Sequence, residues 1–153
     1  MIDQGALAPD FTLPRDGGGS VSLSALRPQK VVLYFYPKDD TPGCTLEAID
    51  FTRLAADFAM ANTVVIGLSK DSVKAHDKFC KKHGLGVILA SDEHGTTCEE
   101  YGAWLEKSMY GRTYMGIERI TVLIDGSGHV ARVWGKVKVD GHAAEVLAAA
   151  QAL

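Results

Sequence analysis

The chain has 153 residues, of which 46% are apolar and 23% charged, the size and composition of one globular domain with its own core. A net charge of −3 without any long run of Lys and Arg argues against a nucleic-acid binder. No apolar stretch approaches the roughly 20 residues that cross a bilayer, and the N-terminus lacks the positive and apolar regions of a signal peptide. We therefore expect a single cytoplasmic domain over residues 1–153 with no membrane partner.

Apolar runs alternate with helical patterns along the chain. A Gly-rich turn at 16–20 separates two short apolar stretches and predicts an N-terminal β-hairpin. The remaining predicted elements are strands at 31–36, 63–68 and 87–90, helices at 44–60 and about 72–83, a strand pair at 118–124 and 130–134, and a final helix at 143–153. This order favours an α/β, thioredoxin-like fold in which helices flank a central mixed sheet.

The chain contains three cysteines, Cys44, Cys80 and Cys98. An odd number excludes a full disulfide framework, and a reducing cytosol disfavours static bridges. Without a CxxC pair, neither a zinc site nor a thioredoxin-type dithiol is indicated, and the histidines show no ligand spacing, so we expect no metal and no cofactor. The thiols are then buried packing residues, a single reactive thiol, or a pair that cycles between thiol and disulfide.

Cys44 stands where a polar loop, PKDDTPG, meets the start of a predicted helix. A thiol in the first turn of a helix faces free N–H groups and the positive end of the helix dipole, and both favour the nucleophilic thiolate. Thr41 lies close enough for its hydroxyl to contact the sulfur or a bound oxygen, and Pro37 can wall the site without offering a donor. The alternative is a buried cysteine that only fills space. The position at the loop–helix junction favours a nucleophile.

The pattern Pro37-xxx-Thr41-xx-Cys44 resembles the signature of the peroxiredoxins. The surrounding YFYPKDDTPGCT is similar to the Q class, also called bacterioferritin comigratory proteins. Further matching blocks are APDFTL at 8–13, SKDSVKAHDKFCKKHGL at 69–85, SDEHG at 91–95 and EKSMYGRTYMGIERITVLID at 106–125. The resemblance covers nearly the whole chain. It implies a thioredoxin-like fold with an N-terminal hairpin, and an enzyme that reduces hydrogen peroxide and organic hydroperoxides without a metal or prosthetic group.

The resemblance also implies roles for individual residues. Cys44 is the peroxidatic cysteine, Thr41 hydrogen-bonds the peroxide, and Pro37 shields the resulting sulfenic acid. Arg119, in the GIER block, matches the family arginine that stabilises the thiolate and the reacting oxygens. From the residues alone, Arg119 is as well explained by a surface salt bridge with its neighbour. Glu47 is either a partner that orients Arg119 or a solvated helix residue.

The sequence departs from the common Q-class pattern at Ile49, where many members carry a resolving cysteine. Cys80 in the DKFC segment resembles a subgroup that resolves with that cysteine, which implies an atypical 2-Cys enzyme recycled by thioredoxin. The alternatives are Cys98 and an external thiol. Because a disulfide requires Cα atoms within about 7 Å, pairing of Cys44 with Cys80 would unwind the start of the Cys44 helix. The family resemblance further implies a monomer.

Two rival functions use other features. A disulfide reductase or glutathione-dependent transferase on the same fold would carry a CxxC motif or a glutathione site, and the sequence has no CxxC. A binding or chaperone-like module on an inactive fold would have lost Cys44, Thr41 or Arg119, and all three are present.

Overall fold

The computed structural model describes all 153 residues, which form nine strands and five α-helices. The strands are β1 (Thr12–Pro14), β2 (Ser20–Ser22), β3 (Lys30–Phe35), β4 (Thr63–Ser69), β5 (Ile88–Ser91), β6 (Trp104–Met109), β7 (Arg112–Ile117), β8 (Ile120–Ile124) and β9 (Val130–Trp134). The helices are α1 (Pro42–Arg53), α2 (Ala55–Met60), α3 (Val73–His83), α4 (Thr97–Glu100) and α5 (His142–Ala152). None of these helices has both the length and the apolar character that crossing a bilayer requires.

Five strands form the central sheet in the order β5-β4-β3-β8-β9. The three strands β3, β4 and β5 are parallel, whereas β8 pairs antiparallel with β3, and β9 antiparallel with β8. β1 and β2 form a separate antiparallel hairpin at the N-terminus. The mixed sheet and the N-terminal hairpin confirm the predicted α/β architecture.

The two faces of the sheet carry two different cores, because successive side chains of a strand point to opposite faces. One core contains Leu33 of β3 and is covered by the β1–β2 hairpin and the segment around Cys98. The other contains Tyr34 of β3 and is covered by α1, α2, α3 and α5. Cys44 belongs to this second core, and Cys80 packs against it. The sheet therefore lies between Cys98 and the other two cysteines.

The structure differs from the predicted elements at several points. The single helix expected at 44–60 is two helices that meet at Leu54, whose non-helical backbone (φ −99°, ψ 6°) ends α1. β8 starts at Ile120, two residues later than expected. The hairpin of β6 and β7 was missed, because most of its side chains are exposed and leave no alternating apolar pattern. Its turn is Tyr110–Gly111, both at positive φ, rather than the common Asn-Gly.

Substitution of Gly67 tests how tightly the helix-covered core is packed. Gly67 pairs with Tyr34 across β3 and β4, and a Cβ at Gly67 would lie 2.6 Å from Cζ of the fully buried Tyr34 ring. We expect Gly67→Ala to lower the free energy of unfolding by about 1–3 kcal/mol, the usual cost of overpacking. Urea unfolding measures this change. The control is Gly86→Ala, whose Cβ would make an ordinary 3.4 Å contact with Thr52; equal effects of the two variants would contradict the prediction.

Candidate active site

The first turn of α1 places Cys44 at the end of the polar loop. Thr41 occupies the N-cap position with an extended backbone, and Pro42 is the first helical residue, where its fixed φ suits the helix. The first N–H groups of any α-helix have no partner within the helix, and here no side chain caps them. Cys44 is only 2% exposed. Its sulfur therefore lies in a nearly dry environment beside free N–H groups and the positive end of the helix.

Arg119 comes from the short connection between β7 and β8 and reaches the same sulfur. Its Nη2 donates to Cys44 Sγ over 3.4 Å. A Cβ on Gly43 would lie 3.2 Å from this Nη2, so the missing side chain at Gly43 leaves room for the guanidinium. Burial by itself would lower the pKa of Arg119, but the charges of Glu47 and Cys44 raise the pKa overall. Arg119 is thus a permanent cation in contact with the thiol.

Glu47 lies one helical turn after Cys44 and is 1% exposed. Its Oε1 accepts a 2.7 Å hydrogen bond from Nη1 of Arg119, while its Oε2 is buried without a partner. Burial raises the pKa of Glu47 to about 7, although Arg119 acts in the opposite direction. The solvated alternative for Glu47 is therefore wrong, and Arg119 pairs with Glu47 rather than with its sequence neighbour.

Thr41 and Pro37 lie on the loop that leads into α1. The Thr41 hydroxyl donates to the carbonyl oxygen of Lys38 over 2.8 Å, which commits its proton and leaves its lone pairs free to accept. Pro37 is exposed directly after the buried Tyr36. The structure thus places Arg119 in contact with both Cys44 and Glu47, and Thr41 at the N-cap of the same helix.

A buried hydrogen-bond network holds this loop, and sequence reasoning missed it. Tyr36 donates its hydroxyl proton to Asp39 Oδ1 over 2.6 Å, and Asp39 Oδ2 lies 2.6 Å from Nδ1 of His76 on α3. Nε2 of His76 lies 3.0 Å from the carbonyl oxygen of Ala90, which can only accept. Burial would lower the pKa of His76, but the bonds to Asp39 and Ala90 raise it overall. Tyr36 and Asp39 are three residues apart, so a local pattern could have connected them. His76 is 37 residues beyond Asp39, and no local pattern connects these two.

The other two thiols occupy different environments. Cys80 is half-buried on α3, and its Sγ donates to Asp16 Oδ2 over 3.6 Å. Cys98 is fully buried on α4, where Asp92 accepts its backbone N–H and burial raises the pKa of the thiol. All three cysteines are free. Nowhere in the chain do three or more His, Cys, Asp or Glu side chains converge as the ligands of a metal ion would.

An almost dry cysteine at a helix N-terminus, in contact with a partly buried arginine, is the arrangement of a thiol-dependent redox enzyme. The model of the AhpC/TSA family matches residues 4–133 of the chain, which include Cys44 and Arg119. The chain is 53% identical over 146 residues to a putative peroxiredoxin Bcp of Coxiella burnetii, covering 95% of this chain and 97% of the relative.

Solved structures are similar as well. Peroxiredoxin Q of Xanthomonas campestris superposes with a TM-score of 0.89 at 46% identity, covering 93% of this chain and 90% of that one. For a Xylella fastidiosa PrxQ variant the TM-score is 0.93 at 39% identity, with 99% and 97% covered. The chain belongs to the AhpC/TSA family and, within it, to the peroxiredoxins of the Bcp or Q type. It is therefore a peroxidase with a thioredoxin-like fold.

Glu47 makes the stability of the fold depend on pH. Its pKa rises from 4.5 to about 7 on folding, so the folded state binds more protons than the unfolded state between these values. The wild type is then most stable, relative to the Glu47→Gln variant, below pH 4.5. This difference in the free energy of unfolding falls by up to about 3 kcal/mol as the pH rises to 7. Urea unfolding of both proteins from pH 4 to 8 measures this. The control is Glu106→Gln, at an exposed position of β6. If the free energies of unfolding of the wild type and of Glu47→Gln differed by a constant amount over this pH range, the prediction would be contradicted.

Proposed function

We propose that this enzyme reduces hydrogen peroxide and organic hydroperoxides with Cys44 as the peroxidatic cysteine and Cys80 as the resolving cysteine, as an atypical 2-Cys peroxiredoxin. The observation that carries the proposal is the 3.4 Å contact between Nη2 of Arg119 and Sγ of Cys44 at the start of α1. A cation and free helix amides around one sulfur stabilise a thiolate and the charge that develops on an attacked peroxide.

In the first step the Cys44 thiolate attacks the terminal oxygen of the hydroperoxide. An S–O bond forms, the O–O bond breaks, and the remaining oxygen leaves as water or an alcohol after taking up a proton. Thr41 suits the role of acceptor for the peroxide O–H, because its own proton is committed to Lys38. Arg119 donates to the reacting oxygens. Removal of one such donor typically slows a reaction by roughly 10²–10³-fold.

Two further residues act through these groups. Glu47 positions Arg119 by accepting from Nη1, so that Nη2 remains directed at the sulfur. Pro37 opens the loop without an N–H group, and we assign to it the shielding of the Cys44 sulfenic acid.

In the second step Cys80 attacks the sulfenic sulfur of Cys44. The new S–S bond replaces the S–O bond, and the oxygen leaves as water with the thiol proton. Two observations support Cys80 over Cys98. Cys80 packs against the core that contains Cys44, whereas Cys98 lies in the core on the opposite face of the sheet. In addition, serine variants of X. campestris peroxiredoxin Q replace two cysteines that are 36 residues apart, the same separation as Cys44 and Cys80.

We expect the two helices to rearrange when the disulfide forms. Cys44 lies in the first turn of α1 and Cys80 in the second half of α3, and each has its own hydrogen-bond partner. We expect the first turn of α1 to unwind at Pro42 and Gly43, and part of α3 to separate from the sheet.

Substrate range and partners follow from the same proposal. The β6–β7 hairpin, which leads directly to Arg119, exposes Met109, Tyr110, Tyr114 and Met115, an apolar surface suited to alkyl hydroperoxides. X. campestris bacterioferritin comigratory protein has been studied for alkyl peroxide reduction. We assign thioredoxin as the reductant, the cytoplasm as the location and a monomer of one domain as the working form.

Cys44→Ser is the direct test of the peroxidatic role. The exchange replaces sulfur with a poorly nucleophilic oxygen at one atom, so we expect peroxidase activity to disappear while the fold remains. A thioredoxin-coupled assay measures the activity, and circular dichroism measures the fold. In the wild type, stoichiometric peroxide should remove two free thiols; turnover within a few-fold of wild type in Cys44→Ser would disprove the role.

Cys80→Ser separates the two steps of the reaction. Sulfenic acid forms at Cys44 without Cys80, so the first oxidation should keep its rate, whereas turnover with thioredoxin should stop for lack of a disulfide. Intact mass after graded peroxide should show sulfenic acid followed by over-oxidation at lower doses than in wild type. Cys98→Ser is the matched control and should behave as wild type. Normal coupled turnover in Cys80→Ser, or its loss in Cys98→Ser, would show that another thiol resolves Cys44.

A further inference from the structure

The turn of the N-terminal hairpin contacts the helix that carries Cys80. Asp16, at the start of the β1–β2 turn, accepts the S–H of Cys80 at its Oδ2 over 3.6 Å. The next residue, Gly17, donates its backbone N–H to Asp77 on the same helix over 2.7 Å. These contacts join parts of the chain that are 64 and 60 residues apart.

The Asp16 carboxylate is held in place independently of Cys80. Its Oδ1 accepts the backbone N–H of Leu89 on β5 over 2.8 Å, and its own N–H donates to the Leu89 carbonyl over 3.0 Å. Arg15 contacts the same Oδ1 at 3.5 Å. Because Oδ1 is bonded to Leu89 on the central sheet, Oδ2 is the oxygen that accepts from the thiol of Cys80. As long as α3 contacts the β1–β2 turn, Asp16 therefore holds a carboxylate oxygen in a fixed position beside the thiol of Cys80.

The surroundings of Cys80 disfavour its thiolate as long as α3 is docked. Burial is the largest of the effects that together raise the pKa of Cys80 to about 12; the charge and hydrogen bond of Asp16 come next, followed by the charges of Asp39 and Asp77. A thiol in this state is a poor nucleophile, because the thiolate is the reactive form.

We propose that Asp16 is a positioning residue that keeps Cys80 protonated and bound to the β1–β2 turn, so that Cys80 becomes reactive only when α3 separates from this turn. The inference rests on the proposed resolving role of Cys80 and adds a control to it. Separation of α3 would break the S–H···O contact and remove the thiol from the carboxylate. Cys80 would then be activated in the same movement that brings it to oxidised Cys44, and it would stay unreactive toward other electrophiles in the reduced enzyme.

The test measures the reactivity of Cys80 as the only thiol of the chain, in a Cys44→Ser, Cys98→Ser background. The probe is iodoacetamide, and the alkylation rate is followed by mass spectrometry from pH 7 to 10. Asp16→Asn retains an acceptor for Leu89 and removes the charge; we expect alkylation at least about tenfold faster at pH 8 and a pH profile shifted to lower pH. Asp16→Glu, which restores the charge, should return most of the protection. Should Asp16→Asn fail to fold by circular dichroism, Asp16→Ser takes its place.

Asp77→Ala is the matched control, because it removes the other contact between the turn and α3, together with the weaker effect of the Asp77 charge on the thiol, and leaves the S–H···O bond to Asp16 in place. We expect its alkylation rate to change less than threefold. Alkylation of Asp16→Asn within twofold of the parent, or an equal increase in Asp77→Ala, would overturn the inference. The proposed function is tested separately: normal turnover of Cys80→Ser would refute the resolving role and leave the alkylation result intact.

Discussion

The contact of the Arg119 guanidinium with both Glu47 and Cys44 is the interaction on which the site depends. Its two Nη atoms have different partners: Nη1 donates to the buried carboxylate of Glu47, and Nη2 donates to the sulfur of Cys44. Placing charged groups away from water is costly unless they are paired. Glu47 is only partly compensated, because its Oε2 has no partner and its pKa is raised to about 7. The packing of the rest of the fold must therefore supply the free energy that holds Glu47, Arg119 and Cys44 together.

The backbone around Cys44 is adapted to that contact. Pro42 begins α1 without an N–H group to satisfy, and Gly43 leaves the space that Nη2 occupies. Tyr36, Asp39 and His76 hold the preceding loop against α3 through two 2.6 Å contacts. Because the loop before Cys44 is bonded to the helix that carries Cys80, separation of that helix also removes the support of the loop. The segments that carry the two cysteines are therefore joined by direct hydrogen bonds.

The central sheet also decides which thiols can meet. β3 is buried on both faces, and the two cores that it separates contain Cys98 on one side and Cys44 with Cys80 on the other. A thiol would have to pass through the sheet to join Cys98 to Cys44. In contrast, α1 and α3 pack on the same face, so the sheet does not separate Cys44 from Cys80. This separation of Cys98 from Cys44 and Cys80 needs no special chemistry, only the alternation of side chains along a strand.

The sequence by itself determined the local parts of this protein. The apolar run at 31–36 and the turn at 125–128 predict their strands, and the loop before Cys44 predicts a thiol at a helix N-terminus. For α3 the sequence offers Asp71 or Ser72 as the start and Gly84 as the end, and the structure has Ser72 and Gly84. Each of these signals is complete within a few neighbouring residues. The exposed β6–β7 hairpin left no such signal. Only the tertiary structure decided that Arg119 pairs with Glu47, that His76 holds Asp39 and that Asp16 faces Cys80, since these partners lie 72, 37 and 64 residues apart. Contacts of that kind are set by how strands and helices pack across the sheet, and no local pattern of residues encodes them.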